Sequence, residues 1–369
     1  MAQKTPKNKP EAVSLILDDG TGRMSNALSK AIAYERTPSL FDEDYIKERD
    51  KELKELLELK QGDTALCVDR RNKPVVLTSY QSRIVHALSY AISREIETSE
   101  DVRKKIQEPI KRGNTISRNV NITALTSLIF NSTRKRYKET IIREIYNLAH
   151  IRQVQILGTG DNKVKLTAPL IMIGATLEDL SPEKRNNLDV MEVYFGAAFF
   201  FELSTRYATI TPKLFEVWGK SGRGTELFSI LLDSIFSVYW HYRQAANKAE
   251  EQVKLYYKTN KIAKGELKEA IAEARREAMT YELNISTIKQ RVTTNYDSNP
   301  NMKRKFKQDL QNAINGFKEL DLITDGIIQV GAKGQEKVTF ILSETYNFTE
   351  KVDTSQTLLG VDENKPAAF

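Results

Sequence analysis

Two stretches of this chain repeat one order of elements: a short capped helix, a break, a basic helix, and two β segments around a Gly-rich turn. In the first stretch, Asn119–Ile122 reads as a short strand and Thr123 as the cap of the helix ALTSLIF. Asn131–Ser132 breaks that helix, and Ser132 or Thr133 caps a longer one, RKRYKETIIREIYNLAHI. VQIL, the turn GTGDN and KVKLTA follow as a hairpin. In the second stretch, Ser286 caps TIKQRV, NYDSNP is the break, and NMKRKFKQDLQNAINGFKEL is the basic helix. GIIQV, GAKGQ and KVTFIL form the second hairpin. The two stretches share almost no residue identity, so the repeat is one of element order.

A long helix precedes each unit. Thr78 or Ser79 caps the first, which runs to about Glu95 with Ile84, Val85, Leu88, Ala91 and Ile92 on one face. Thr225 begins the second, ELFSILLDSIFSVYWHYRQAANK. Long helix, short helix, turn, basic helix and hairpin is the order of a winged helix. The predicted class is therefore α+β: two tandem winged-helix domains with an N-terminal helical extension. Residues 1–70 are read as a basic tail and a helical extension, with FDEDYIKERDKELKELLELK as its helix. Residues 71–183 are the first winged-helix domain. Residues 184–345 are the second, with a charged helical insertion near 247–283. Residues 346–369 are an acidic, disordered tail.

The two basic helices match in charge. Ser132–His150 holds Arg134, Lys135, Arg136, Lys138 and Arg143 against Glu139 and Glu144, a net of +3. Pro300–Leu320 holds Lys303, Arg304, Lys305, Lys307 and Lys318 against Asp309 and Glu319, also +3. Cations in a first helical turn oppose the helix dipole and cost a few tenths of a kcal/mol each, on the order of the dipole effect. An anionic partner offsets that cost. In helix-turn-helix proteins these N-terminal residues meet base edges and phosphates. Ser132, Thr133 and Asn301 stand at the two helix starts. Arg134 and Arg136 suit bidentate contact with guanine, Lys135, Lys138, Lys303, Lys305 and Lys307 suit phosphate, and Arg304 is a further candidate DNA contact. Lys163 and Lys165 flank the first wing turn, and Lys333 sits within the second.

The rest of the sequence narrows the alternatives. A single cysteine, Cys67, excludes a disulfide framework and a CxxC zinc site. The three histidines, His86, His150 and His241, are far apart and form no HxH pair; with Cys67 they are read as structural. No apolar run reaches the roughly 18 residues of a membrane span. The basic, polar start MAQKTPKNKP predicts no secretory signal and a cytoplasmic location. GKSGRGT lacks the Walker spacing and reads as a Gly-rich loop before a helix. His241-Tyr242-Arg243 invites a recombinase, but on an apolar helix face and its polar flank. Asp18, Asp19, Asp42, Glu43 and Asp44 read as caps and surface. No cofactor, metal site or catalytic residue is expected.

The segments VVLTSYQSRIVHALSYAI, NITALTSLIFNSTRKRYKETIIREIYNLAHIRQVQI, ITPKLFEVWGKSGRGTELFSILLDSIFSVYWHYR and MKRKFKQDLQNAINGFKELDLI together resemble the plasmid replication initiators that bind iterons. The resemblance covers roughly residues 70–345. The N-terminal 70 residues and the stretch at about 247–283 depart from the usual pattern. The resemblance implies binding to direct repeats of double-stranded DNA at an origin, strand opening, and recruitment of host replication proteins such as a helicase or initiator. It also implies a bacterial, plasmid-associated protein, with homodimers that repress their own gene and monomers that initiate. A winged-helix transcriptional repressor is the alternative reading, and a DNA-processing recombinase or nuclease the third.

Overall fold

The computed structural model describes residues 22–25, 64–69, 75, 77–98, 116–157, 164–174, 188–195, 207–220, 225–260, 264–292, 294–330 and 335–346. The expected basic tail, the helix expected at 41–60, both wing turns (158–163 and 331–334) and the acidic segment from 347 lie outside the described residues, as do Asp18, Asp19, Asp42, Glu43 and Asp44. Within them the fold is mixed α and β, with small antiparallel sheets.

The first half comprises β1 (Gly22–Ser25), β2 (Thr64–Val68), α1 (Ser79–Thr98), β3 (Ile116–Asn121), α2 (Ile122–Phe130), α3 (Lys135–Leu148), β4 (Arg152–Leu157), β5 (Val164–Pro169), β6 (Ile171–Ile173) and β7 (Val190–Phe195). The second half comprises β8 (Tyr207–Ile210), α4 (Pro212–Lys220), α5 (Thr225–Thr259), α6 (Lys264–Ala278), β9 (Thr280–Asn284), α7 (Ile285–Arg291), α8 (Pro300–Glu319), β10 (Ile323–Val330) and β11 (Glu336–Leu342).

α1 is the central element. Thr78 and Gln81 cap it reciprocally: the Gln81 N–H donates to Thr78 Oγ1 at 3.2 Å, and the Thr78 N–H donates to Gln81 Oε1 at 3.0 Å. Every residue from Gln81 to Ser93 is buried, so the helix is covered on all sides. Its serines serve neighbouring backbone. The Arg23 N–H of β1 donates to Ser93 Oγ at 2.6 Å, and Ser89 Oγ donates to the Arg23 carbonyl at 2.8 Å. A Cβ on Gly22 would lie 2.5 Å from Tyr90 Cδ2 and 2.8 Å from Tyr90 Cα, so this approach needs glycine.

β4 and β5 form the expected first hairpin, with Leu157 opposite Val164. The sheet also takes β2, in the order β2-β4-β5. The chain then crosses at Leu170 into a second sheet, β3-β7-β6, and the Leu170 N–H donates to the Ile151 carbonyl at 3.0 Å as it turns. β1 pairs with β8. The segment expected as an N-terminal extension thus supplies strands to two sheets. In the second half, β10 and β11 form the other expected hairpin and β9 pairs with β11.

Several boundaries differ from expectation. α2 is capped by Asn121, whose Oδ1 accepts from the Ala124 N–H at 2.9 Å, not by Thr123. α7 starts at Ile285 behind Asn284, not behind Ser286. Thr280–Asn284 is a strand, not the end of a charged helix. Its Tyr281 is buried beside Phe340 of β11, and pairing with β11 satisfies its backbone. α5 is one 35-residue helix that absorbs the start of the expected insertion. α4 stands as a separate short helix ahead of α5 and buries Leu214, Phe215, Val217 and Trp218.

One hydrophobic core spans both halves, from Met24 to Leu342. α1 meets α5 and α2 meets α4 along the join. Ser82 Oγ donates to Asp233 Oδ2 at 2.9 Å across it.

Candidate nucleic-acid interface

The start of α3 is shaped by the end of α2. Asn131 closes α2 in the left-handed region (φ 49°), and its N–H donates to the Ser127 carbonyl at 2.8 Å. The chain then needs extended residues before it can turn helical again. Arg134 therefore occupies the N-cap position of α3, with no side-chain cap. This corrects the expected cap at Ser132 or Thr133. The Ser132 hydroxyl instead accepts from the Arg134 N–H at 3.4 Å, ahead of the helix. The Tyr137 N–H turns back to the Arg134 carbonyl at 2.9 Å, which leaves the Lys135 and Arg136 N–H groups to solvent or an anion.

Thr133, Arg134, Lys135 and Arg136 are exposed, and Ser132 is half-buried. Lys135 lies 3.9 Å from Glu139, an exposed pair that screens little of its charge. Arg136 is held in place: its guanidinium sits 4.7 Å from the Tyr137 ring centroid and donates to the Tyr137 hydroxyl at 2.8 Å. Tyr137 stacks on Phe130 at 4.6 Å and 12°. Lys138 is less available, because its Nζ is 3.4 Å from Asp189.

α8 starts differently. The Asn299 side chain accepts from the Met302 N–H at 3.0 Å and Pro300 opens the helix. Asn301, Lys303, Arg304 and Lys307 are exposed. Lys305 is half-buried, 5.8 Å from the Tyr296 ring centroid and 4.0 Å from Asp309. Asp309 in turn accepts the Tyr296 hydroxyl at 3.0 Å. Lys307 reaches Glu336 of β11 at 3.4 Å, tying the helix to its hairpin. The two basic helix starts are thus alike in charge and unlike in capping. α3 presents the more open dipole end.

The structure gathers Ser132, Thr133, Arg134, Lys135, Arg136 and Lys138 at one helix start, and Asn301, Lys303, Arg304, Lys305 and Lys307 at the other. Lys165 stands on β5 opposite Ile156. Lys163 and Lys333 lie outside the described residues. Sequence reasoning missed Tyr137, whose signal was an aromatic beside Arg136. It also missed Lys289 on α7, which lies 2.7 Å from Asp297 and 5.2 Å from the Phe306 ring centroid.

Other candidates take ordinary places. Lys220 of GKSGRGT ends α4 and pairs with Glu319 at 3.2 Å, while Lys213 donates to the Glu319 carbonyl at 2.5 Å. Both cations face the C-terminal end of α8, where the dipole favours them. Tyr242 packs edge-on against Tyr281 at 5.5 Å, and burial, with Glu282 nearby, raises its hydroxyl above the ordinary range, which works against a nucleophile. Cys67 is buried, and burial pushes its thiol up to about 12. His86 is buried, but His150 and His241 stand on the surface, so a core role fits only the first.

Among the described residues, no group of three or more His, Cys, Asp or Glu could hold a metal ion. No helix among them is long and apolar enough to cross a membrane. No protein-family model and no curated protein matches the chain.

Proposed function

We propose that this chain is a sequence-specific double-stranded DNA-binding protein built from two tandem winged-helix units, and that it initiates replication of a plasmid or mobile element. The observation that carries the reading is the pair of exposed basic helix starts, Arg134-Lys135-Arg136 and Lys303-Arg304, each lying between a short helix and an antiparallel hairpin. The sheet order β10-β11-β9 supports a winged helix in the second half, since the strand before the short helix pairs with the far strand of the hairpin. The first half departs from this, because β7 lies between β3 and β6 and β2 covers the other side of the hairpin.

In this reading α3 and α8 enter major grooves. Arg134 and Arg136 read guanine edges, and Lys135, Lys303, Arg304 and Lys307 contact phosphates. The bound sites are direct repeats at an origin, and host replication proteins are the further partners. No covalent step is required: binding energy bends or opens the duplex. The test is a gel shift on duplex DNA flanking the gene, across a salt series. Binding that prefers repeats there over scrambled duplex, and weakens steeply with salt, is expected. Equal affinity for scrambled DNA would overturn it.

A further inference from the structure

Arg83 lies where the two halves meet, and its side chain touches both. It stands on α1 and is 3 % exposed. Its guanidinium carbon is 5.4 Å from the ring centroid of Phe130, the last residue of α2, and 5.4 Å from that of Trp218 on α4. Nη2 donates to the Ile129 carbonyl, one of the last-turn carbonyls of α2 that lack a helical partner. Gly219 borders the group: a Cβ there would lie 3.7 Å from Nη2, in ordinary contact. A guanidinium taken so far out of water is unfavourable unless its geometry is used. Here the planar group contacts two rings and one carbonyl together, a geometry a flexible apolar chain does not reproduce.

Contacts continue outward from Arg83 on both sides. Phe130 stacks on Tyr137, which carries Arg136 at the start of α3. Trp218 contacts Phe228 at 5.8 Å, and Phe228 contacts Phe317 of α8 at 4.6 Å. An unbroken series of ring and guanidinium contacts therefore runs from one basic helix to the other, and Arg83 is its middle member.

We infer that Arg83 is a positioning residue that fixes the distance and angle between α3 and α8, and so sets which spacing of two half-sites the protein accepts. The half-site part rests on the DNA-binding reading above; the distance part does not. One base pair more or less between half-sites displaces them by about 3.4 Å and rotates them by about 35°. A rigid join discriminates against that change, and a loose one does not.

The first measurement needs no DNA. Nitroxides on the full chain at Thr133→Cys and Asn301→Cys report the distance between the helix starts by pulsed electron resonance. Cys67, buried, takes no label. The parent should give one narrow distance distribution. Arg83→Met and Arg83→Lys should each broaden it about twofold, because neither keeps the planar fork. Trp218→Phe, which keeps a ring, is the second site should both Arg83 variants fail to fold, and it should shift the mean distance. An unchanged distribution in the folded variants overturns the inference.

The second measurement selects from randomised duplexes of about 40 base pairs, long enough for two half-sites at least one turn apart. The parent should enrich two half-sites at one spacing, with Arg83→Lys enriching the same half-sites about tenfold less selectively for spacing. An identical spacing preference in the variant overturns the inference. If the parent enriches no sequence, the DNA-binding reading fails, and the distance measurement still decides the role of Arg83.

Discussion

His86 Nε2 lies 3.4 Å from Asp233 Oδ1 where α1 packs on α5, and both side chains are buried. His86 Nδ1 is 2.8 Å from the Ser82 carbonyl, which can only accept, so that nitrogen carries the proton. Burial lowers the imidazole from 6.5 to about 4, with the Ser82 carbonyl opposing the shift. The folded group is neutral between those values, while the unfolded one binds a proton. Stability from this group is therefore complete above pH 6.5 and declines as pH falls toward about 4. Asp233 limits that decline, because a proton on Nε2 would turn this contact into an ion pair. Urea midpoints across this range measure it. His86→Gln should flatten the profile, and identical slopes in parent and variant would refute the assignment.

The exposed cations predict a split between stability and binding. Arg134→Ala and Arg304→Ala should each leave the urea midpoint within about 0.5 kcal/mol of the parent, as surface changes do. On the preferred duplex, Arg134→Ala should cost about 1–3 kcal/mol and relax specificity. Arg304→Ala should weaken all sequences alike and lower the salt slope by about 1. Titrations at several salt concentrations separate the two; unchanged affinity in both variants would remove these helices from the interface.

Asn131 has a positive φ of 49° and ends α2 directly before the basic helix. Asn131→Gly should be nearly neutral, within a few tenths of a kcal/mol. Asn131→Val should cost about 1–2 kcal/mol, because a β-branched residue is disfavoured there. Denaturant midpoints for the pair test this; equal values would mean that the left-handed turn is not required.

Phe317 is fully buried, 4.6 Å from Phe228 and 6.1 Å from Phe340. Phe317→Ala should destabilise by about 3–5 kcal/mol. A loss under about 1 kcal/mol would show that the neighbouring rings refill the space.

Cys67 is inaccessible, and its thiol is raised to about 12. Iodoacetamide should modify it only when the chain unfolds, at a rate that follows denaturant and that rises with pH between about 7 and 8.5 as the unfolded thiol ionises. Rapid labelling of the native protein would contradict that burial.

The sequence carried the helices better than the sheets. The basic helices were legible because their apolar faces repeat at helical spacing, as in Ile141, Ile142, Ile145 and Leu148, all buried. Both hairpins were legible from their glycines. Caps were misplaced by a residue or two, since Asn121 and Thr123 are both capping types and the incoming strand decides between them. β2 and β9 were missed because their pairing is set at a distance: Cys67 lies opposite Gln153, and Leu283 opposite Val338. Charge showed which residues form the candidate interface. It could not show that Lys138 turns to Asp189 or that Arg136 rests on Tyr137, which depend on β7 and α2. The role of Arg83 was not legible, because nothing local to it announces Trp218.

The pairing of β1 with β8 bears on how the chain assembles as it is made. Gly22 leaves the ribosome well before its partner Ile210. At roughly 5–20 residues per second, the intervening chain takes about 10–40 s to synthesise. β1 can settle on α1 once Tyr90 and Ser93 have emerged, but one edge of its backbone stays open until Tyr207–Ile210 appear. Throughout that interval the nascent first half presents an unpaired strand edge, a template for joining other chains. Slowing translation between these two strands should therefore lower the yield of native protein, even though it gives each half more time to fold.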